Sequence, residues 1–167
     1  MKTASDSGEE WIALVRSSYN ECADAYVEQR STDERELEIL AVKLNKSDTV
    51  LDVGCGAGVP VTLHLSNLFR VTGVDISDRM IERAKSNVKN AQFIRANILE
   101  TDFAENSYDA VVSYYALFHI PRKEQPHLFQ KFFHWIKPGG YILASPERPH
   151  MYSQNRIRKQ RAGNHRW

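Results

Sequence analysis

The residues best placed to do chemistry are three glycines at alternate positions, Gly54, Gly56 and Gly58, with Asp52 just before them and Asp75 further along. A glycine loop lets backbone approach a ligand closely and adopt positive φ. A phosphate-chain loop requires Gly-Lys-Ser/Thr, whereas Gly58 is followed by Val59 and Pro60. The dinucleotide fingerprint G-x-G-x-x-G fits at Gly54 and Gly56, but valine holds its third glycine position. Pro60 also removes an N–H that would face a pyrophosphate. Asp52 would repel a pyrophosphate and attract an ammonium group through water or backbone. Asp75 suits a ribose diol, whose two O–H groups it can accept. The pattern predicts a ligand with a ribose, a cationic head and few or no phosphates.

These residues need a scaffold, and the apolar pattern supplies one. TVLDV (49–53), RVTGVD (70–75), AQFIRA (91–96), YDAVVSYY (108–115) and YILAS (141–145) read as strands, the first of the kind buried on both sheet faces. A capping box at Ser7 and Glu10 predicts a first helix carrying Trp11, Val15, Tyr19, Cys22 and Tyr26 on one face. A second helix is expected from Thr32 to about Leu44. A third follows the glycines, with Pro60 in its first turn and Val61, Leu65 and Leu68 inward. Ser77 or Asp78 caps a fourth containing Met80, Ile81 and Ala84. A fifth runs from roughly Arg122 to Trp135, and KPGG (137–140) reads as a turn. Alternating strands and helices imply right-handed crossovers and a doubly wound α/β fold. The glycine loop then lies at the carboxyl edge of the sheet, where strand order reverses.

Composition narrows the function classes. The chain has 167 residues, which suits one domain, and a net charge of +1, which gives no overall pull toward nucleic acid or anionic membrane. The basic excess sits in the last stretch, with Arg156, Arg158, Lys159, Arg161 and Arg166 and no acid. Cys22 and Cys55 are the only cysteines. Their separation matches no zinc or redox motif, so no metal is expected and a reduced, cytoplasmic setting is the default. The first ten residues lack the apolar core of a secretory signal, and no apolar run reaches membrane-span length.

S-adenosylmethionine has the ribose, the cationic head and the lack of phosphate that the loop asks for. VLDVGCGAG (50–58) resembles the first motif of the class I S-adenosylmethionine-dependent methyltransferases. VTGVDIS (71–77) resembles their second motif, FIRANILETDFAENSYDAVVSYYALFHI (93–120) their third and fourth, and FHWIKPGGYILAS (133–145) the stretch through the fifth strand. YNECADAYVEQR (19–30) is similar to the helix covering the cofactor in small-molecule members. The likeness spans roughly residues 18 to 146, and four motifs in order make it specific.

The resemblance implies a Rossmann-like, mainly parallel sheet in the order 3-2-1-4-5 with helices on both faces. It also implies a binding domain over 1–146 with a helical cap at about 8–45. It implies methyl transfer from S-adenosylmethionine to a small-molecule acceptor, with S-adenosylhomocysteine as product. The cofactor set it implies is Tyr19, Tyr26, Asp52, Gly54, Cys55, Gly56, Gly58, Asp75, Ile76, Met80, Asn97, Ile98 and Ser113. Asp75 would hold the ribose. Asn97 stands where the family commonly has an aspartate beside the adenine amino group, with Ile98 next to the ring. Several of these carry a second reading. Tyr19, Tyr26 and Met80 also fit core packing, Asn97 a turn, and Cys55 a small filler. Tyr114, Tyr115 and His119 follow the fourth strand near an acceptor. His119 reads as a general base or as a structural hydrogen-bonder, and no catalytic residue follows from the motifs alone. A non-catalytic cofactor-binding or partner protein, and a nucleotide-dependent oxidoreductase, are the competing classes.

The family's sheet has seven strands, and the likeness stops near Ser145. Residues 147–167 read as a basic, irregular tail too short for a helix and two strands. A shortened core with the usual closing strands missing is therefore expected. Its fifth strand would be an edge, open to a homodimer.

Overall fold

The computed structural model describes residues 4–28, 35–114 and 116–145, with side chains over 10–23, 35–114 and 116–144. The tail 147–167 and Tyr115 lie outside the described residues, as does the side chain of Tyr26. Five strands, β1 (Thr49–Val53), β2 (Arg70–Asp75), β3 (Gln92–Arg95), β4 (Tyr108–Tyr114) and β5 (Ile136–Ser145), form one sheet in the order β3-β2-β1-β4-β5. Every pairing is parallel. Five helices accompany them: α1 (Ala4–Glu28), α2 (Arg35–Ala41), α3 (Val61–Ser66), α4 (Asp78–Asn87) and α5 (Gln125–Trp135). The expected strand order is the observed one.

Both sheet faces are buried, which is why the strands read as apolar runs rather than alternating ones. Val50, Val71, Ala110 and Val112 face α2 and α3, packing on Leu37, Leu40, Val61 and Leu65. Leu51, Val53, Val74 and Val111 face the other way, onto Leu128, Phe132 and Trp135 of α5. Those three side chains are fully buried, and each contributes about 1.5–3 kcal/mol of apolar burial.

The local expectations differ from the structure in a few places. The first helix begins at Ala4, so Ser7 is inside it and the capping box does not start it. Cys22 is exposed, and Ala23 takes the buried place on that turn. Among the described residues regular helix α2 covers Arg35–Ala41 and stops short of the expected Leu44, and the first residues of the expected span lie outside the described ones. Pro60 caps α3 rather than entering its first turn. A short 3-10 turn at Leu117–His119 precedes α5, which starts at Gln125. KPGG belongs to β5 as a bulge between the Tyr108–Ile136 and Ala110–Tyr141 pairings, with Gly139 at φ 81°. Ser77 does cap α4, accepting the Met80 N–H at 3.1 Å.

One carboxylate ties three strands together at their amino ends. Oδ2 of Asp109 accepts the Thr49 N–H, the Thr49 hydroxyl and the Lys137 ammonium, each at 2.8 Å. Burial alone would raise its pKa, but the Lys137 and Thr49 donors outweigh that and hold it below the ordinary carboxylate value. A depressed folded pKa gives stability that is present above the unfolded value of about 3.9 and lost as pH falls through the folded one. Asp109→Asn is therefore expected to cost about 1–2 kcal/mol at pH 7. Urea midpoints should show the gap between the variant and the unaltered chain closing toward about pH 3. An equal gap at both pH values would exclude this role.

Candidate active site

The strand order reverses beside β1, whose neighbours are β2 and β4. Chains leaving β1 and β4 diverge there, and a cleft opens at their carboxyl ends. Its empty space is about 850 Å³ with the open solvent at its mouth included. Its inner wall is apolar, made by Val53, Val74, Ile98, Leu117 and Leu128.

The glycine loop forms one side. Gly54, Gly56 and Gly58 take φ of 74°, 55° and 78°, a region L side chains rarely enter. A Cβ on Gly54 would stand 2.2 Å from that of Ala116, so the bare backbone of Gly54 packs against the Ala116 methyl in the chain after β4. The loop's N–H groups turn inward. Those of Gly54 and Cys55 donate to the Val74 carbonyl at 2.8 and 3.0 Å, and that of Gly58 donates to Cys55 at 3.0 Å. Gly56 donates to Oδ2 of Asp75 at 2.9 Å. Four backbone donors of the kind that would form a pyrophosphate cradle are thus spent within the protein.

Asp75 sits at the end of β2 on the cleft wall. Ser77 N–H meets its Oδ1 at 2.9 Å while Gly56 N–H meets its Oδ2, so two backbone donors fix the carboxylate plane. A carboxylate accepts about four hydrogen bonds in all. Ile76, Asn97 and Ile98 line the same wall.

Helix α1 covers the mouth with Trp11, Ile12, Val15 and Tyr19. The Trp11 indole donates to the His119 carbonyl at 2.8 Å, and Tyr19 Oη lies 2.6 Å from His119 Nε2. On the other side Arg16 pairs with Asp78, which Arg95 also meets at 3.2 Å. The Arg16 guanidinium holds the Asp78 carboxyl below its usual range. Ser77 Oγ donates to Oδ1 of Asn20 at 2.6 Å. The cap is thus fastened on both flanks by polar contacts to the 3-10 turn and to α4.

Of the residues expected at the ligand, Tyr19, Gly54, Gly56, Asp75, Ile76, Asn97 and Ile98 line the cleft, and Tyr114 and His119 join them. Of the other expected residues, Asp52, Cys55, Gly58, Met80 and Ser113 are not on the cleft lining, and the side chain of Tyr26 lies outside the described residues. Asp52 is 1% exposed and accepts the Thr62 hydroxyl at 2.5 Å, facing the α3 side because β1 alternates. Cys55 fills the space over Gly73, where an added Cβ would lie 2.9 Å from its sulfur. Gly58 packs on Ala84 and Val88. Met80 is fully buried with Ala23 and Ala57. Ser113 is buried and donates to the Val53 carbonyl at 3.1 Å, linking β4 to β1. Tyr114 offers no free-standing acid or base, since its hydroxyl donates to Glu36 at 2.8 Å. Ile12, Leu99, Ile120 and Pro121 line the cleft without having been singled out, because nothing in their spacing marks them. Trp11 had a signal, its place on the helix face with Val15 and Tyr19.

A family model described as a methyltransferase domain matches residues 50–140. Phosphoethanolamine N-methyltransferase 1 of Triticum aestivum is 36% identical over 108 residues, covering 61% of this chain and 21% of that one. The 27-O-demethylrifamycin SV methyltransferase of Amycolatopsis mediterranei is 27% identical over 139 residues, covering 79% and 50%. Among solved structures, DhpI in complex with SAM and HEP matches at a TM-score of 0.67 and 22% identity, over all of this chain and 76% of that one. That likeness is one of fold. The chain spans half or less of the length of these two curated relatives.

Proposed function

The chain belongs to the methyltransferase domain family, and we propose on that premise that it binds S-adenosylmethionine under α1 and transfers its methyl group to a small-molecule acceptor. The observation that carries this reading is the pairing of Asp75 with the glycine loop. One carboxylate stands on the cleft wall, and the N–H groups of Gly54, Cys55, Gly56 and Gly58 beside it are taken up inside the protein. That combination favours a ribose and disfavours a pyrophosphate, which sets aside the oxidoreductase alternative. The bound sulfonium would supply an activated methyl, leaving the protein to align an acceptor in line and leaving S-adenosylhomocysteine behind.

The residues divide the work. Asp75 accepts the ribose hydroxyls. Asn97 and Ile98 face the adenine, and Gly54 and Gly56 give room to the methionine portion. Tyr19 closes the cleft from α1. His119 is the group placed to take a proton from an acceptor, its Nε2 held by the Tyr19 hydroxyl. Among the described residues the cleft wall carries no lysine or arginine. This favours an acceptor with an apolar body and one ionisable O–H or N–H over one bearing a phosphate.

Titration calorimetry with S-adenosylmethionine and S-adenosylhomocysteine tests the binding, and labelled-methyl transfer to an acceptor panel tests the chemistry. Binding and transfer are expected. Binding without transfer to any acceptor would move the chain to the non-catalytic class, and no binding would end the cofactor reading. Gly56→Val should weaken binding by at least about 100-fold, since valine must enter the left-handed region and place its branches in the cleft. Normal affinity in that variant would make the loop a mere turn.

No helix among the described residues is long and apolar enough to cross a membrane. We propose a cytoplasmic setting, in keeping with Cys22 and Cys55 not being joined in a disulfide. A homodimer through β5 is the assembly we propose. Among the described residues β5 has only β4 beside it, with Phe133 and Tyr141 exposed nearby. Sedimentation equilibrium should give twice the chain mass, and a monomer at micromolar concentration would overturn it.

A further inference from the structure

Asn97 lies on the cleft wall in a tight turn, and its side-chain amide is held in one orientation. Its Nδ2 donates to Oε1 of Glu100 at 2.7 Å, while its Oδ1 accepts the Leu99 N–H at 3.2 Å. The turn itself is closed by the Asn97 carbonyl, which accepts the Glu100 and Thr101 N–H groups and the Thr101 hydroxyl. Reversing the amide would set its NH₂ against the Leu99 N–H and its oxygen against the Glu100 carboxylate. Both contacts would then be repulsive, so the two partners admit one orientation only.

We propose that Glu100 is a positioning residue that locks the Asn97 amide and thereby makes the site select adenine over its deaminated counterpart, hypoxanthine. This rests on the S-adenosylmethionine reading above. An amide carries an acceptor and a donor side by side, and it can pair in two-pronged fashion with the amino group and N1 of adenine, the nitrogen that carries a hydrogen in hypoxanthine. Hypoxanthine presents a carbonyl where adenine presents that amino group. A freely turning amide would follow the change by flipping, and would read the two bases almost alike. An amide fixed by Glu100 cannot follow, and meets oxygen with oxygen. An aspartate at 97 would offer acceptors only, so the donor half of this recognition belongs to Asn97 together with Glu100.

The test is calorimetric titration of the full chain with S-adenosylhomocysteine and S-inosylhomocysteine. The unaltered chain is expected to prefer the adenosine form by about 10- to 100-fold. Glu100→Ala removes the shorter of the two contacts and leaves only the 3.2 Å one to the Leu99 N–H, so it should reduce that preference by gaining affinity for the inosine form, with adenosine binding changed much less. Glu100→Gln has the same size and can still hydrogen-bond, but its own amide can turn with Asn97. It should lose the preference while keeping the melting temperature, an outcome a merely structural contact would not produce. An unchanged preference in both variants, with adenosine binding intact, overturns this inference alone. If the unaltered chain binds neither compound, the cofactor reading and this inference fail together.

Discussion

Replacing Asp75 by alanine is expected to weaken S-adenosylmethionine binding by roughly 30- to 1,000-fold, the equivalent of about 2–4 kcal/mol from two charge-assisted hydrogen bonds to the ribose. The carboxylate also takes the Gly56 and Ser77 N–H groups at 2.9 Å each. Its loss therefore loosens the glycine loop as well as removing the acceptor. Some stability goes with it, since a donor left without a partner costs about 1–3 kcal/mol. Binding must then be read on protein shown to be folded by circular dichroism. Asp75→Asn separates the two effects, because it retains one oxygen and loses the charge, and it should fall between alanine and the unaltered chain. A folded Asp75→Ala protein with an unchanged dissociation constant would remove Asp75 from the site.

His119→Ala is expected to lower kcat by about 10²- to 10⁴-fold for an acceptor that must lose a proton, the range typical of a positioned general base. The Trp11 indole donates to the backbone carbonyl of His119, not to its ring. The substitution therefore leaves that fastening of α1 in place but removes the Tyr19 contact, so cofactor affinity should be read beside kcat and should change far less than the rate. Tyr19→Phe removes the hydroxyl 2.6 Å from Nε2 and should cost less, about tenfold in kcat. The double variant should fall no lower than His119→Ala, because the two groups act as one unit. A rate unaffected by His119→Ala would return the residue to its reading as a structural hydrogen-bonder. An acceptor already deprotonated at neutral pH provides the control, since it should react at nearly the same rate in both proteins.

Much of the site was legible because a parallel α/β sheet forces it. Once Thr49–Val53 and Arg70–Asp75 are strands, Gly54, Asp75 and Ile76 must come out at the same edge. Asn97 and Ile98 follow β3 by the same rule. Other residues of the same motifs went elsewhere for local reasons. Asp52 stands on the face of β1 opposite Leu51 and Val53, so its carboxylate meets Thr62 rather than the cleft. Met80 is three residues past the Ser77 cap, and that spacing turns it under α1 into the core. Ser113 lies within β4, where its hydroxyl reaches only the neighbouring strand.

The amino-acid order by itself determined the alternation of strands and helices and the class of ligand expected at the glycine loop, whereas the sheet order came from the family resemblance. The alternation and the ligand class depend on chain-local properties: apolar period, glycine at positive φ, proline without an N–H, and a carboxylate at a strand end. Only the tertiary structure decided that Tyr19 meets His119 and that Trp11 reaches the same turn, contacts between residues about a hundred positions apart. It alone decided that KPGG is a bulge in β5, since a turn and a bulge share the same glycine-rich composition until a neighbouring strand sets the register. It also decided which way the Asn97 amide faces, because an amide is nearly symmetric in shape and only its partners, Leu99 and Glu100, tell its oxygen from its nitrogen.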